Sequence, residues 1–275
     1  MNKKFLLLII SSLFGFFVHA QSYRQDFIRA MNAHDMKKAE EVLKNWDLTN
    51  VNDPELYVAF FNFFTVKSMD SNVLSLNKLD QNYSKQALEY ISEGIQRFPI
   101  RLDMRIAKLE MLGELDEYQD YVLEILNLIV QSAKIKNNWK EEDFLSVDYG
   151  EDMFFGVVAD AQGFLFSKND STLFKDILRI SDEMMKYYPR HNQSRIASST
   201  VYIAQKKFDK SIETLSKAVQ IEPANPIVLF NLAYVYNIIE DKANAKKYYE
   251  LTIKYCDEEQ GNLKEEAKKL LEALE

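Results

Sequence analysis

The stretch K-K-F-D-K-S-I-E-T-L-S-K-A-V-Q-I-E-P, residues 206–223, decides the fold. Small and apolar residues fall at Phe208, Ser211, Ile212, Leu215, Ala218 and Val219. Steps of three and four place them on one stripe of a helix. Pro223 then ends the phrase, because proline cannot continue a helix. Upstream, H-N-Q-S-R-I-A-S-S-T-V-Y-I-A-Q starts at His191 and carries Ile196, Ser199, Tyr202 and Ile203 at helical spacing. Downstream, P-I-V-L-F-N-L-A-Y-V-Y-N-I-I starts at Pro226 and has the same shape.

The offset between these phrases is constant. Tyr202 and Tyr236 are 34 residues apart, as are Ser199 and Ala233, Ser211 and Ala245, Leu215 and Tyr249, and Pro189 and Pro223. A fixed period built from two amphipathic helices is the mark of a repeat architecture. This period resembles that of the tetratricopeptide repeat, with units at 192–225 and 226–259. The family's eighth position takes a small residue, here Ser199 and Ala233, and its eleventh an aromatic, here Tyr202 and Tyr236. The twentieth takes alanine, here Ser211 and Ala245, and the twenty-fourth a large apolar residue, here Leu215 and Tyr249. Departures occur too. Arg195 and Leu229 replace the usual tryptophan, Thr252 stands where Ala218 keeps the pattern, and Asp257 replaces the closing proline. The resemblance implies an all-α fold: a right-handed α-solenoid of antiparallel helix pairs with a C-terminal capping helix.

Outside these two units the pattern is weaker. Y-S-K-Q-A-L-E-Y-I-S-E-G-I-Q-R-F-P at 83–99 and L-F-K-D-I-L-R-I-S-D-E-M-M-K-Y-Y-P at 173–189 each read as the second helix of a pair. The spacing predicts degenerate pairs across 22–188, at 22–46, 54–98, 100–136 and 149–188. The regular pairs 192–221 and 226–255 and a capping helix at 260–274 follow. A loop is expected at 68–81, and a break at 134–152, where N-N-W-K-E-E-D interrupts a long helix. Asp53-Pro54 and Asn225-Pro226 read as N-cap plus proline at the first helical position. All five prolines fall at expected helix edges. No composition break marks a second domain, so 21–275 reads as one helical repeat domain.

The first twenty residues read differently. M-N-K-K gives a basic start, Phe5 to Val18 is mostly apolar, and Val18-His19-Ala20 offers small residues before Gln21. That is the pattern of a secretory signal peptide of bacterial type. It predicts an exported protein, periplasmic or secreted, soluble once the segment is cut. No lipid-acceptor cysteine follows, and no later stretch is apolar enough to span a bilayer. Loss of Lys3 and Lys4 moves the net charge from −8 to −10. Such an acidic chain is unsuited to nucleic acid, whose phosphates need clustered Lys and Arg. The one cysteine, Cys256, can form no internal disulfide, so packing alone must hold the fold. Pairing with another chain is open to it, but a half-buried small apolar role is the commoner one.

Chemistry is not legible. His34 and His191 lie in turns and read as solvated loop residues. Zinc spacings, Gly-rich phosphate loops and the G-x-S-x-G elbow are all absent, so no metal, cofactor or catalytic residue is expected. The carboxylate pairs Glu40-Glu41, Glu141-Glu142-Asp143, Asp257-Glu258-Glu259 and Glu265-Glu266 read as solvated faces. The aromatic run Y-V-A-F-F-N-F-F at 57–64 is either a core helix or an open strip, and core is favoured. In 151–166, Gly156 and Gly163 are expected to let helices approach closely.

In the family, ligands lie on the concave face lined by the first helix of each unit. By that register the inward positions are Ile227, Phe230, Tyr234, Asn237 and Ile238, with Asn231 near the rim. One unit earlier they are Gln193, Ile196, Thr200, Ile203 and Ala204, with Ala197. Rings that bury side chains and amides that bond a main chain suit a peptide. The expected partner-binding set is therefore Ile227, Phe230, Asn231, Tyr234, Asn237 and Thr200. Ile196 and Thr200 stand where the family's chaperone-binding members need lysine and asparagine, which argues against a carboxylate clamp. The reading is a non-catalytic scaffold that binds a protein or peptide. A helical-array enzyme acting on peptide or glycan, or an immunity-type inhibitor, is the alternative.

Overall fold

The computed structural model describes residues 20–70, 79–139 and 151–274, and every regular element among them is helical. The expected all-α arrangement of helix pairs is what the structure shows. Chain contacts divide it into two compact units, 1–151 and 152–275. The expected signal segment 1–20 lies outside the described residues except for Ala20, which opens the first helix.

The first unit holds α1 (Ala20–Asn32), α2 (Met36–Thr49), α3 (Pro54–Asp70), α4 (Gln81–Arg97), α5 (Leu102–Glu114) and α6 (Tyr118–Ile135). Its core is aromatic. Trp46, Leu56, Tyr57, Phe60, Phe61, Phe63, Ile91 and Met104 are buried together, so the 57–64 run is mostly core. Phe64 is only half-buried and stacks toward Tyr83 and Tyr90 at 6.4 and 5.6 Å. Trp46 also donates its indole N–H to Asp53 Oδ2 at 3.2 Å. The other carboxylate oxygen of Asp53 accepts from the Glu55 amide at 3.0 Å, capping α3 just ahead of Pro54. One side chain thus pins the turn between α2 and α3. Gly94 marks the closest helix approach: a Cβ there would stand 2.8 Å from Tyr57 Cβ. Lys136 and Asn137 adopt left-handed backbone and end α6, and Trp139 folds back to donate to Ser132 Oγ at 3.1 Å. The rest of the expected break, from residue 140, is outside the described residues.

Two buried charge clusters cross this unit. Arg101 bonds Glu55 at 2.8 Å and Asp103 at 2.6 Å, and Glu55 also meets Arg24 at 3.3 Å. Glu124 of α6 is held between Arg105 and Lys108 of α5. The expectation of a loop beginning at 68 is corrected. Ser68 is buried inside α3, where its hydroxyl pairs with Ser84 of α4 at 3.0 Å; residues 71–78 are outside the described set.

The second unit holds α7 (Glu151–Ser167), α8 (Phe174–Tyr187), α9 (Gln193–Ala204), α10 (Phe208–Ile221), α11 (Pro226–Ile238), α12 (Lys242–Tyr255) and α13 (Gly261–Glu272), with a 3-10 turn at Ser171–Leu173. From α8 to α13 each helix packs on the next, and α11 also touches α9 and α13. α11 reads apolar almost all round because it is buried on two sides. Val228, Leu232 and Val235 pack with Leu215 and Ala218 of α10, while Ala233 packs with Ala245 and Tyr249 of α12. Asn225 caps α11 by accepting from the Ile227 and Val228 amides at 3.1 and 3.2 Å. α13 buries one stripe only, around Ala267, Leu270, Leu271 and Leu274, and its outer positions are charged. That one-sidedness is what a capping helix needs.

Two expectations fail here. A Cβ on Gly156 or Gly163 would meet nothing within 4 Å among the described residues, so neither glycine marks a close approach. His191 is not a solvated turn residue: its ring stacks on Phe155 at 3.8 Å, covering the turn between α8 and α9. His34 is exposed, in a left-handed turn, as expected.

The small positions of the two regular units reveal a paired choice. Ser199 and Ser211, eighth and twentieth in their unit, are buried and share a hydrogen bond of 2.7 Å. One period later both positions are alanine, also buried. Ser199→Ala alone should leave the Ser211 hydroxyl without its partner and cost about 1–3 kcal/mol. The double change Ser199→Ala with Ser211→Ala should recover most of that, since it copies Ala233 and Ala245. Urea unfolding of the three proteins checks this. A double mutant as unstable as the single one would overturn it.

Candidate functional site

The residues expected to bind a partner fall on two neighbouring helices of the second unit. Ile227, Phe230, Asn231, Tyr234 and Asn237 share α11, and Thr200 lies on α9. Ile227 is 43% exposed, Tyr234 42% and Ile238 38%, and they recur at i, i+7 and i+11, one stripe of the helix. The tight packing of α11 on its other sides makes this exposure unusual within the element. Phe230 is half-buried, its ring edge-on to Tyr249 of α12 at 5.8 Å. Asn231 is also half-buried and donates one amide N–H to the Ile227 carbonyl at 2.8 Å, leaving the rest of its amide for another partner. Thr200 donates to the Ile196 carbonyl of its own helix at 3.0 Å. Its hydroxyl therefore serves α9 first.

None of the twelve positions assigned to this face on α9 and α11 carries a charge, in a chain with 28% charged residues. What the face offers is apolar surface, three amides, the Thr200 hydroxyl and the Tyr234 phenol, groups that can bury side chains and bond a main chain.

Tyr249 is a residue that sequence reasoning placed only in the packing. It is fully buried. Burial raises its phenol above the ordinary value, and a hydrogen bond with the Asn237 side chain offsets part of that rise. The signal was a tyrosine where the earlier unit has Leu215.

Elsewhere, no group of three or more His, Cys, Asp or Glu that could hold a metal ion occurs among the described residues. No described helix is long and apolar enough to cross a membrane. Cys256 is buried just after α12, and burial pushes its thiol up. The pairs at 257–259 and 265–266 are exposed, whereas 141–143 lie outside the described residues.

The fold thus defines a class, an all-helical protein of packed helix pairs. The family model described as TPR repeat matches residues 200–237, which run from the middle of α9 through nearly all of α11. The tetratricopeptide resemblance is supported there. No curated protein matches the chain. Similar solved structures include one described as YrrB, a TPR protein with an unusual peptide-binding site. It shows 11% identity over 82% of this chain and 97% of that one, with a TM-score of 0.43. TTC0263, a thermophilic TPR protein of Thermus thermophilus, shows 15% identity over 92% and 98%, with a TM-score of 0.31. The TPR2AB domain of yeast Sti1, in a pHSP90 complex, shows 13% identity over 93% and 98%, with a TM-score of 0.36.

Proposed function

We propose that this chain is an exported, non-catalytic scaffold whose α9–α11 face binds a segment of a protein partner. The observation that carries the reading is the exposed stripe Ile227, Tyr234 and Ile238 on a helix otherwise sunk in the core. Asn231 and Asn237 flank it, so apolar anchors alternate with main-chain-bonding amides, the mixture that peptide-binding surfaces use. The match of 200–237 to the TPR repeat model supports a binding role, because such repeats present helix faces to partners. Export rests on the pattern of residues 1–20.

The test is a selection of random phage-displayed peptides on the purified chain, followed by calorimetry on synthetic copies of those enriched. Tyr234→Ala should weaken binding by about tenfold or more, the loss typical of a central aromatic anchor. Its Tm should stay close to that of the original, since the side chain is exposed. Peptides that bind Tyr234→Ala and Asn231→Ala as tightly as the original chain would place the site elsewhere.

A further inference from the structure

A cut after Ala20 does more than free the chain. It puts Gln21 first in the mature protein. In the precursor the Gln21 nitrogen belongs to the peptide bond with Ala20 and is no nucleophile. The cut turns it into an amine, whose pKa of about 7.7–8.0 leaves a neutral fraction at pH 7. Attack of that amine on the side-chain amide carbon of the same residue closes a five-membered ring. Both groups are already tethered, so no entropy is spent in bringing them together. Behind Gln21 stands the start of α1. The helix is docked at once: Tyr23 stacks on Trp46 at 6.3 Å, Arg24 meets Glu55 at 3.3 Å, and Phe27 is buried. Ser22 is exposed, so the new end emerges at the surface. A free ammonium there would stand at the positive pole of the helix, where cations are disfavoured. The residues from Gln21 to Gln25 include no acid to offset it, and Arg24 adds a like charge. Asp26 pairs with Arg29, and Glu55 is committed to Arg24 and Arg101.

We propose that Gln21, once the leading segment is cut away, closes to pyroglutamate and caps α1 with a neutral lactam. This rests on the reading of residues 1–20 as a cleaved signal. The bond from the Gln21 Nα to Cδ forms and the bond from Cδ to Nε2 breaks. The Nε2 nitrogen leaves as ammonia, taking the proton that Nα gives up. No oxidant, reductant or second substrate enters. The end loses its positive charge, and α1 no longer carries a cation at its positive pole. The lactam also denies aminopeptidases the free amine they attack. It thereby guards Tyr23 and Arg24, the residues that tie the start of α1 to α2 and α3.

The experiment expresses the full chain with its own leading segment in a bacterial host, beside Gln21→Ala. Protein from the exported fraction is aged at neutral pH, and intact mass and Edman sequencing read its N-terminus. The expected result is a chain that starts at residue 21, weighs one ammonia less than its sequence requires and yields no residue in the first cycle. Pyroglutamyl peptidase should then remove one residue and open the chain at Ser22. Gln21→Ala should be cut at the same bond, keep its full mass and read alanine first. A wild-type chain that starts at Gln21, keeps its full mass after ageing and reads glutamine would overturn the cyclisation and leave the export reading standing. An ammonia loss that persists in Gln21→Ala would place the change at another residue and overturn it too. A chain that keeps residues 1–20, or is cut at another bond, would sink the reading of the signal and the cyclisation with it.

Discussion

Arg101→Ala is expected to remove about 3–5 kcal/mol of stability, the range for deleting one member of a buried charge cluster. The guanidinium is only 7% exposed. It spans two carboxylates from different helices, with Nη1 on Glu55 at 2.8 Å and Nε and Nη2 on Asp103 at 2.8 and 2.6 Å. Burial pulls its pKa down, but the hydrogen bond to Asp103 and the charge of Glu55 outweigh that and hold it above the ordinary value. Alanine would leave Glu55 and Asp103 facing each other across a vacated, poorly hydrated space. Glu55 would keep Arg24, at 3.3 Å, as a longer-range partner. Arg101→Lys should recover part of the loss, because an ammonium keeps the charge but cannot serve both carboxylates as a planar fork does. Urea midpoints of the three proteins measure this. A loss under about 1 kcal/mol for alanine would show that the cluster behaves like an exposed ion pair.

Trp46→Ala should cost a similar amount, about 3–5 kcal/mol, by a different route. The indole is fully buried and stacked at 6.3 Å on Tyr23, so its removal opens a cavity between α1, α2 and α3. It also strips Asp53 of its indole donor. Trp46→Phe separates the two terms: it fills most of the volume and loses only the N–H. That variant should fall short by about 1 kcal/mol, and calorimetric unfolding distinguishes it from the alanine. Equal losses in both would mean that the bond to Asp53, and not the volume, fixes the turn.

These two effects differ in how far the sequence foretold them. The repeat was legible because Ser199, Ser211 and Leu215 recur in phase as Ala233, Ala245 and Tyr249. A small residue at a helix crossing and a large one beside it are demands of backbone geometry, so they leave a period. The proline edges were legible for the same reason, since Pro54 and Pro226 can open a helix but not continue one. The Arg101 cluster left no such trace. Its carboxylate Glu55 lies 46 positions from Arg101, and Arg24, which meets that carboxylate, 77, on helices whose pairs are irregular, and ion pairs impose no period. Gly156 and Gly163 misled because seven-residue spacing marks one face without saying that a neighbour covers it. His191 misled because a turn between helices can still be roofed by an aromatic ring from elsewhere, here Phe155. At the candidate face, the exposed residues of α11 followed from the register. Tyr249 did not, because a buried aromatic satisfies a packing pattern whether or not its hydroxyl has a partner.

The placement of the two tryptophans has a spectroscopic consequence. Trp46 and Trp139 both precede residue 152, where the second unit begins, and both are buried. Emission excited selectively at indole therefore watches the first unit alone, whereas far-ultraviolet dichroism sums helices from both. Superimposable denaturation curves from the two probes would mean that the halves melt as one cooperative block. Separated curves would mean that the halves melt in separate steps.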